Sequence, residues 1–396
     1  MLLSALALSG ATGLGTGCVG EIGGVDVAPP DAEALGVAEL GLRRLTTHEL
    51  DNLVADVFGD TTRPASRLLP EDFRTPFDNA YAGQQISQVL IAGAEAMAIE
   101  VAGRFVAEPG SRLGCVPKGP NDVDCLTSFV RTRGQLAWRR ALTEDEVSGL
   151  VALGRDFAMQ SGDFMVGVDV VVRAFVQSPS FLYRLEIGTE LGPNLYGLTP
   201  AEVASRMAFL VWGSGPDTSL LERAEAGELD RPEGRRAVLL GMLDDPRARR
   251  QLERFHAMWL GYEQLPHAPD LSTRMRQESA ALVERVVFED RSWLDLFTST
   301  ETFADDTLLA HYGLAPAGAS EPRWVDVRGS GREGLLGHGS FLSAAANPGD
   351  TSPTKRGVLI RERLMCNPVP PPPPDVPVDQ PQFAMAPVRV SAVLLL

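Results

Sequence analysis

Leu45-Thr46-Thr47-His48-Glu49, Leu142-Thr143-Glu144-Asp145-Glu146 and Leu198-Thr199-Pro200-Ala201-Glu202 each place a threonine three residues before a glutamate, ahead of an apolar run. That spacing is a capping box. The threonine oxygen accepts the glutamate N–H, the carboxylate turns back to the threonine N–H, and two donors left open at a helix start are satisfied. Helices are therefore expected with Thr46, Thr143 and Thr199 as N-caps. Their unequal spacing excludes a short solenoid period. After the first start, Leu50, Leu53, Val54, Val57 and Phe58 follow at helical spacing, and Gly59 closes the helix.

The same periodicity reads through most of the chain. A long Ala-rich helix is expected over 86–105; Val168 to Val176 could be a buried strand, but its position among helices favours helix, turn, helix over 168–185, punctuated by Ser178-Pro179-Ser180. From 199 to 300 the pattern is helical throughout, with one stripe of Leu252, Phe255, His256, Trp259 and Leu260 and another of Leu282, Val283, Val286 and Val287. Trp324 to Val327 is the one strand the pattern names. The fold class is mainly α: several consecutive small helical units, little strand, and a polyproline II segment near the C-terminus.

Asp and Glu outnumber Lys and Arg by 52 to 36, giving a net charge of −16, so nucleic acid is excluded as a partner on electrostatic grounds. Residues 1–18 form an apolar run too short and too Gly-rich to span a bilayer, ending in small residues before Cys18. This reads as an export signal whose Leu14-Gly15-Thr16-Gly17-Cys18 resembles a lipoprotein processing site, with Cys18 as the lipidated residue. Cys115 and Cys125 flank a polar loop; in an exported chain they form a local disulfide, the alternative being two separately buried thiols. No other Cys or His stands near enough in sequence to complete a zinc site, and no metal is expected.

The most distinctive text is 332–376. Leu335, Leu336, Phe341 and Leu342 among small residues suit a buried, closely packed helix. Asn347-Pro348-Gly349-Asp350 breaks it, Ser352 caps a second helix with Pro353 at its first position, and Pro370 to Pro374 form a rod of about 3 Å per residue. His338 stands between Gly337 and Gly339, where the backbone can be approached closely by a ligand or partner, or by a neighbouring helix. Lys355 and Arg356, with Arg361 and Arg363, form a basic cluster able to receive a carboxylate or simply a solvated helix face. His256 and His311 read as ordinary packed histidines. Gly329-Ser330-Gly331-Arg332-Glu333-Gly334 matches a dinucleotide fingerprint only formally, since no crossover strand follows it.

Arg-Arg-Leu-Thr-x-x-Glu at 43–49, Ala-Trp-Arg-Arg-Ala-Leu-Thr at 137–143, Gln-Ser-Pro-Ser-Phe-Leu-Tyr-Arg-Leu-Glu at 177–186, Leu-Thr-Pro-Ala-Glu-Val at 198–203, His-Tyr-Gly-Leu at 311–314 and Thr-Ser-Pro-Thr-Lys-Arg-Gly at 351–357 carry a resemblance. The chain resembles large exported proteins of planctomycetes and myxobacteria built from consecutive domains of unknown function, numbered 1587, 1595, 1592 and 1588 in order. The resemblance implies no established activity. It implies a Cys-x-x-Cys-His haem segment beyond the proline rod, and no such motif occurs in these 396 residues, so no cofactor is expected in this chain and a truncated reading is.

The organisation expected is an export signal over 1–18, a flexible tether over 19–41, and helical units over 42–106, 132–190 and 195–318. A Cys-bridged segment takes 107–131, a C-terminal unit with its rod 323–376, and a disordered tail 377–396. The function expected is a non-catalytic envelope scaffold or binding protein in a redox or polymer-handling assembly. It is exported to the periplasm or outer membrane, bound to the membrane by its lipid alone, and works with a protein partner. The alternative is an enzyme on an extracellular substrate, with His338, Asp350, Lys355 and Arg356 at its site and no residue yet assigned as catalytic.

Overall fold

The structure is a computed structural model that describes residues 42–370 except 81–82, 85, 193–194, 319 and 348–349. Cys18, the tether over 19–41, the rod beyond Pro370 and the tail over 377–396 lie outside the described residues. Two compact units divide the chain, Gly24–Ala344 and a second that takes in Ala345–Leu396.

The described part of the larger unit has a two-residue strand β1 (Arg43–Arg44) and then helices α1 (Thr47–Phe58), α2 (Pro64–Leu68), α3 (Gln88–Ala107), α4 (Val123–Trp138), α5 (Glu144–Ser161), α6 (Phe164–Gln177) and α7 (Pro179–Leu182). Strand β2 (Tyr183–Arg184) returns antiparallel to β1, pairing Arg43 with Arg184 and Arg44 with Tyr183. Their shared core is aromatic. Phe58, Phe105, Phe129 and Phe175 form a chain of rings with centroids 6.0, 5.5 and 6.4 Å apart, which links α1, α3, α4 and α6. Helices α5 and α6 touch backbone to backbone at Gly154 and Gly167. A Cβ on Gly154 would sit 2.8 Å from Val171, so these two positions set how closely the helices approach.

All three threonine starts are capping boxes. Thr46 accepts from the Glu49 N–H at 3.1 Å while Glu49 accepts from Thr46 N–H at 2.8 Å, and Thr143 with Glu146 and Thr199 with Glu202 repeat the exchange. Each box is also tied to distant chain. Arg44, before the first, pairs with Asp72 at 2.8 Å, whose other oxygen accepts from the Thr47 N–H and hydroxyl. Arg139, before the second, is buried in a left-handed conformation (φ 59°) and donates to the carbonyls of Ser180 and Tyr183, both at 2.7 Å. Burial pulls its guanidinium down to about 10, still charged at neutral pH. Glu202 of the third box also accepts from the N–H groups of Ile187 and Gly188.

A hairpin of β3 (Thr189–Gly192) and β4 (Leu195–Gly197) leads into α8 (Pro200–Trp212), α9 (Thr218–Glu225), α10 (Pro232–Met242), α11 (Pro246–Leu260) and α12 (Pro269–Phe288). Four of these five begin on proline, which has no N–H to leave unsatisfied at a first turn. Short α13 (Asp295–Thr298), β5 (Glu301–Ala304), α14 (Asp306–His311), β6 (Arg323–Asp326) and α15 (Gly339–Ala344) follow. Strands β5 and β6 pair antiparallel, with Phe303 opposite Trp324. In the second unit Ser352 caps α16 (Pro353–Leu359), and a wider-wound turn continues over Ile360–Leu364.

The fold is mainly α with three small two-stranded sheets among the described residues. Five strands accompany the one expected near Trp324, because segments as short as β1 and β2 carry too few residues to show a period of two. The 168–185 reading is corrected at its end, where Tyr183 leaves the helix to pair with Arg44. The helix expected across Leu335 to Leu342 is also corrected. His338 is extended (φ −69°, ψ 144°) and separates a 3₁₀ turn, Leu335–Gly337, from α15. Phe255, placed on the buried stripe of α11, is exposed and stacks on Phe77 at 5.2 Å.

Candidate functional site

Helix α12 has an apolar stripe of Met275, Leu282, Val283 and Val286, and Glu278 and Ser279 lie on the same face. A carboxylate there is costly unless every oxygen finds a partner. Both do: Glu278 Oε1 accepts the Thr302 hydroxyl and Oε2 the Tyr312 hydroxyl, each at 2.5 Å. The Tyr312 oxygen in turn accepts the Gly339 N–H at 2.9 Å. Burial, and then the Glu278 charge, push the Tyr312 hydroxyl well above the ordinary phenol range, which keeps it a donor.

His338 meets the same helix. Its Nδ1 is 3.0 Å from the Ser279 hydroxyl, which is 2.5 Å from that of Ser340, and its Nε2 stands 4.0 Å from Glu278. His338 is 1% exposed, Ser279 and Ser340 0% and Glu278 1%. Burial lowers the histidine pKa, with Glu278 opposing, so the neutral imidazole is the form held. Hydroxyl, imidazole and carboxylate stand in the order a nucleophilic triad requires, but both serine oxygens lie in the core. The flanking glycines have a packing reason. A Cβ on Gly339 would be 2.6 Å from the Tyr312 oxygen, and one on Gly337 2.7 Å from the Arg332 backbone, so the close approach they allow is made by the chain itself.

The remaining candidates are distributed differently. Asp350, Lys355 and Arg356 belong to the second unit, where Asp350 exchanges backbone hydrogen bonds with Asn347 and Lys355 Nζ donates to the Asn347 side chain at 2.7 Å. The Arg356 N–H closes the first turn of α16 on the Ser352 carbonyl. Cys115 and Cys125 form a disulfide, with Cα atoms 5.6 Å apart. His256 Nδ1 lies 2.8 Å from the Leu252 carbonyl, a packed histidine on α11. Among the described residues no three His, Cys, Asp or Glu side chains converge as a metal site, and no helix is long and apolar enough to cross a membrane.

The opposite face of α12 lines an open groove of about 920 Å³, walled by α11 on one side and the β5–β6 sheet on the other. Arg249 lies over the Phe288 ring and Arg285 over Trp324, both at 4.2 Å, and Trp324 packs on Phe303 at 5.5 Å. Sequence reasoning missed this groove because its residues come from four separate segments. It missed Glu278 as well, although a carboxylate between Met275 and Leu282 on an apolar stripe is a signal that periodicity alone exposes.

The described residues are mainly helical, and four family models match successive segments of the chain. They are PSD3, Protein of unknown function (DUF1587), over residues 43–107; PSD5 (DUF1595) over 125–186; PSD4 (DUF1592) over 198–314; and PSCyt3 (DUF1588) over 332–392. The chain carries these four domains of unknown function in that order. No curated protein and no solved structure matches it. Glu278, Ser279, Thr302 and Tyr312 fall in the third matched segment and His338, Gly339 and Ser340 in the fourth, so the buried network joins the two.

Proposed function

We propose that this chain is a non-catalytic scaffold and binding protein of the cell envelope, exported, anchored through a lipid on Cys18, and working beside a protein partner in a redox or polymer-handling assembly. The observation that carries the reading is the use made of its most reactive-looking residues. His338, Ser279, Ser340 and Glu278 are buried and hydrogen-bonded across the seam between the third and fourth matched segments, as structural groups are. The redox part of the reading rests on the resemblance to proteins with a Cys-x-x-Cys-His haem segment, a motif that does not occur in these 396 residues.

A second reading, hydrolysis by a serine on His338, is favoured by one fact: His338 Nε2 has no hydrogen-bond partner among the described residues. A fluorophosphonate probe separates the two. The scaffold reading expects no labelling of Ser279 or Ser340 in the folded protein. Labelling that His338→Ala abolishes would establish the enzyme instead. Mass spectrometry of envelope-purified protein should find an acylated Cys18 at the mature N-terminus, and an intact Met1 would remove the anchor.

A further inference from the structure

We infer that the groove between α11, α12 and the β5–β6 sheet is a docking site for a Lys- or Arg-bearing extended segment of the partner protein, an inference that rests on the binding-protein reading above. Its volume, about 920 Å³, is at the upper end of the ~300–1,000 Å³ of ligand clefts, room for several side chains.

Its charge is unevenly used. Three arginines and five carboxylates line it. Every arginine is already engaged: Arg249 with Glu284 at 3.3 Å, Arg285 with Glu301 at 2.9 Å, and Arg274 with Asp305. Among the carboxylates Glu284 and Glu289 are paired, whereas Glu253, Asp270 and Glu321 have no hydrogen bond or ion pair among the described residues. Glu253 is half-buried; burial and then Glu284 raise its pKa while Arg276 opposes them, and an incoming cation would favour its charged form.

The walls suit the same guest. Phe303 and Trp324 pair across the β5–β6 sheet, and the chain's own Arg285 rests on the Trp324 ring at 4.2 Å, an instance of the contact a guest cation would make. Carboxylates without partners beside aromatic rings attract ammonium and guanidinium groups through charge and through the ring quadrupole. An acidic ligand would meet three carboxylates without partners and would have to compete with Glu284, Glu301 and Asp305 for the arginines. A neutral polysaccharide would gain the rings but leave those carboxylates unanswered.

The test uses fluorescein-labelled tetralysine and the folded protein, read by anisotropy at low and high salt. Because the whole chain is acidic, Glu253→Gln/Glu321→Gln is compared with Glu95→Gln/Glu108→Gln, the same charge change on exposed positions far along the sequence. Melting curves first establish that both variants fold. The groove variant should weaken binding by about tenfold or more and the other by less than about twofold, with Trp324→Ala weakening it too. Equal losses in the two variants, no binding, or capture of chitohexaose in place of tetralysine would overturn the inference. If the groove variant still crosslinks the same envelope partner as the unaltered protein, the inference fails while the binding-protein reading stands. Fluorophosphonate labelling of Ser279 or Ser340 brings down the reading itself.

Discussion

The Tyr312 hydroxyl donates to Glu278 at 2.5 Å and accepts from the Gly339 backbone N–H at 2.9 Å, so one oxygen connects α12 to the start of α15. Removing it leaves a buried carboxylate short of a donor and a buried N–H short of an acceptor. Tyr312→Phe should therefore cost about 2–4 kcal/mol in urea unfolding. Glu278→Gln removes the charge that the hydroxyl serves, so the loss from Tyr312→Phe should shrink in that background. An unchanged midpoint in the single mutant would show that the network contributes nothing.

Gly339→Ala tests the same seam by volume. The new methyl would fall against the Tyr312 oxygen and the Met275 side chain, at a cost of about 1–3 kcal/mol. Tyr312→Phe should recover part of that loss, because it clears the nearest atom. A fully tolerated alanine would mean that the histidine's glycine neighbours are there for some other reason.

Histidines held neutral in the fold contribute to the loss of stability in acid. His48 is held down to about 4, first by burial and then by Arg254, and burial also lowers His256 and His338. With the folded pKa below the unfolded ~6.5, the unfolded chain takes up protons first. The stabilisation from neutral histidine is then complete above pH ~6.5 and is lost as pH falls through that value toward 4. His48→Gln should flatten the decline between pH 7.5 and 4.5 by about 2–3 kcal/mol, as measured by urea midpoints. A variant with the same pH slope as the parent would refute the assignment.

Each threonine cap is expected to contribute about 1 kcal/mol, so Thr46→Ala, Thr143→Ala and Thr199→Ala should each lower the melting temperature, and valine should do no better. Melting curves unchanged in all three would contradict the role of the side-chain oxygen.

Breaking the Cys115–Cys125 link by Cys115→Ser/Cys125→Ser should cost about 2–3 kcal/mol through the freed loop. Thermal melts with and without reductant give the same comparison on the natural chain, and coincident melts would argue against any structural role for the link.

What was legible beforehand was local. Thr46 and Glu49 are three residues apart, and their exchange can be read without knowing the fold. The partner of Arg44 could not be, because Asp72 approaches only after α1 and α2 are packed, and the carbonyls of Ser180 and Tyr183 reach Arg139 only through tertiary structure. His338 drew notice for the right local reason, its two glycines, yet whether a ligand or the chain itself fills the space beside a glycine is settled by residues such as Tyr312, outside that stretch. The groove was invisible because Arg249, Glu253, Phe303 and Trp324 become neighbours only once α11 and the β5–β6 sheet flank α12.

The ring chain from Phe58 to Phe175 and the pairing of Arg43 with Arg184 cross from the first matched segment, 43–107, into the second, 125–186. What sequence comparison divides into two segments therefore shares one core. As the chain emerges, β1 has no mate until residue 184 is made, and separating the segments would expose the aromatic surface that each covers on the other.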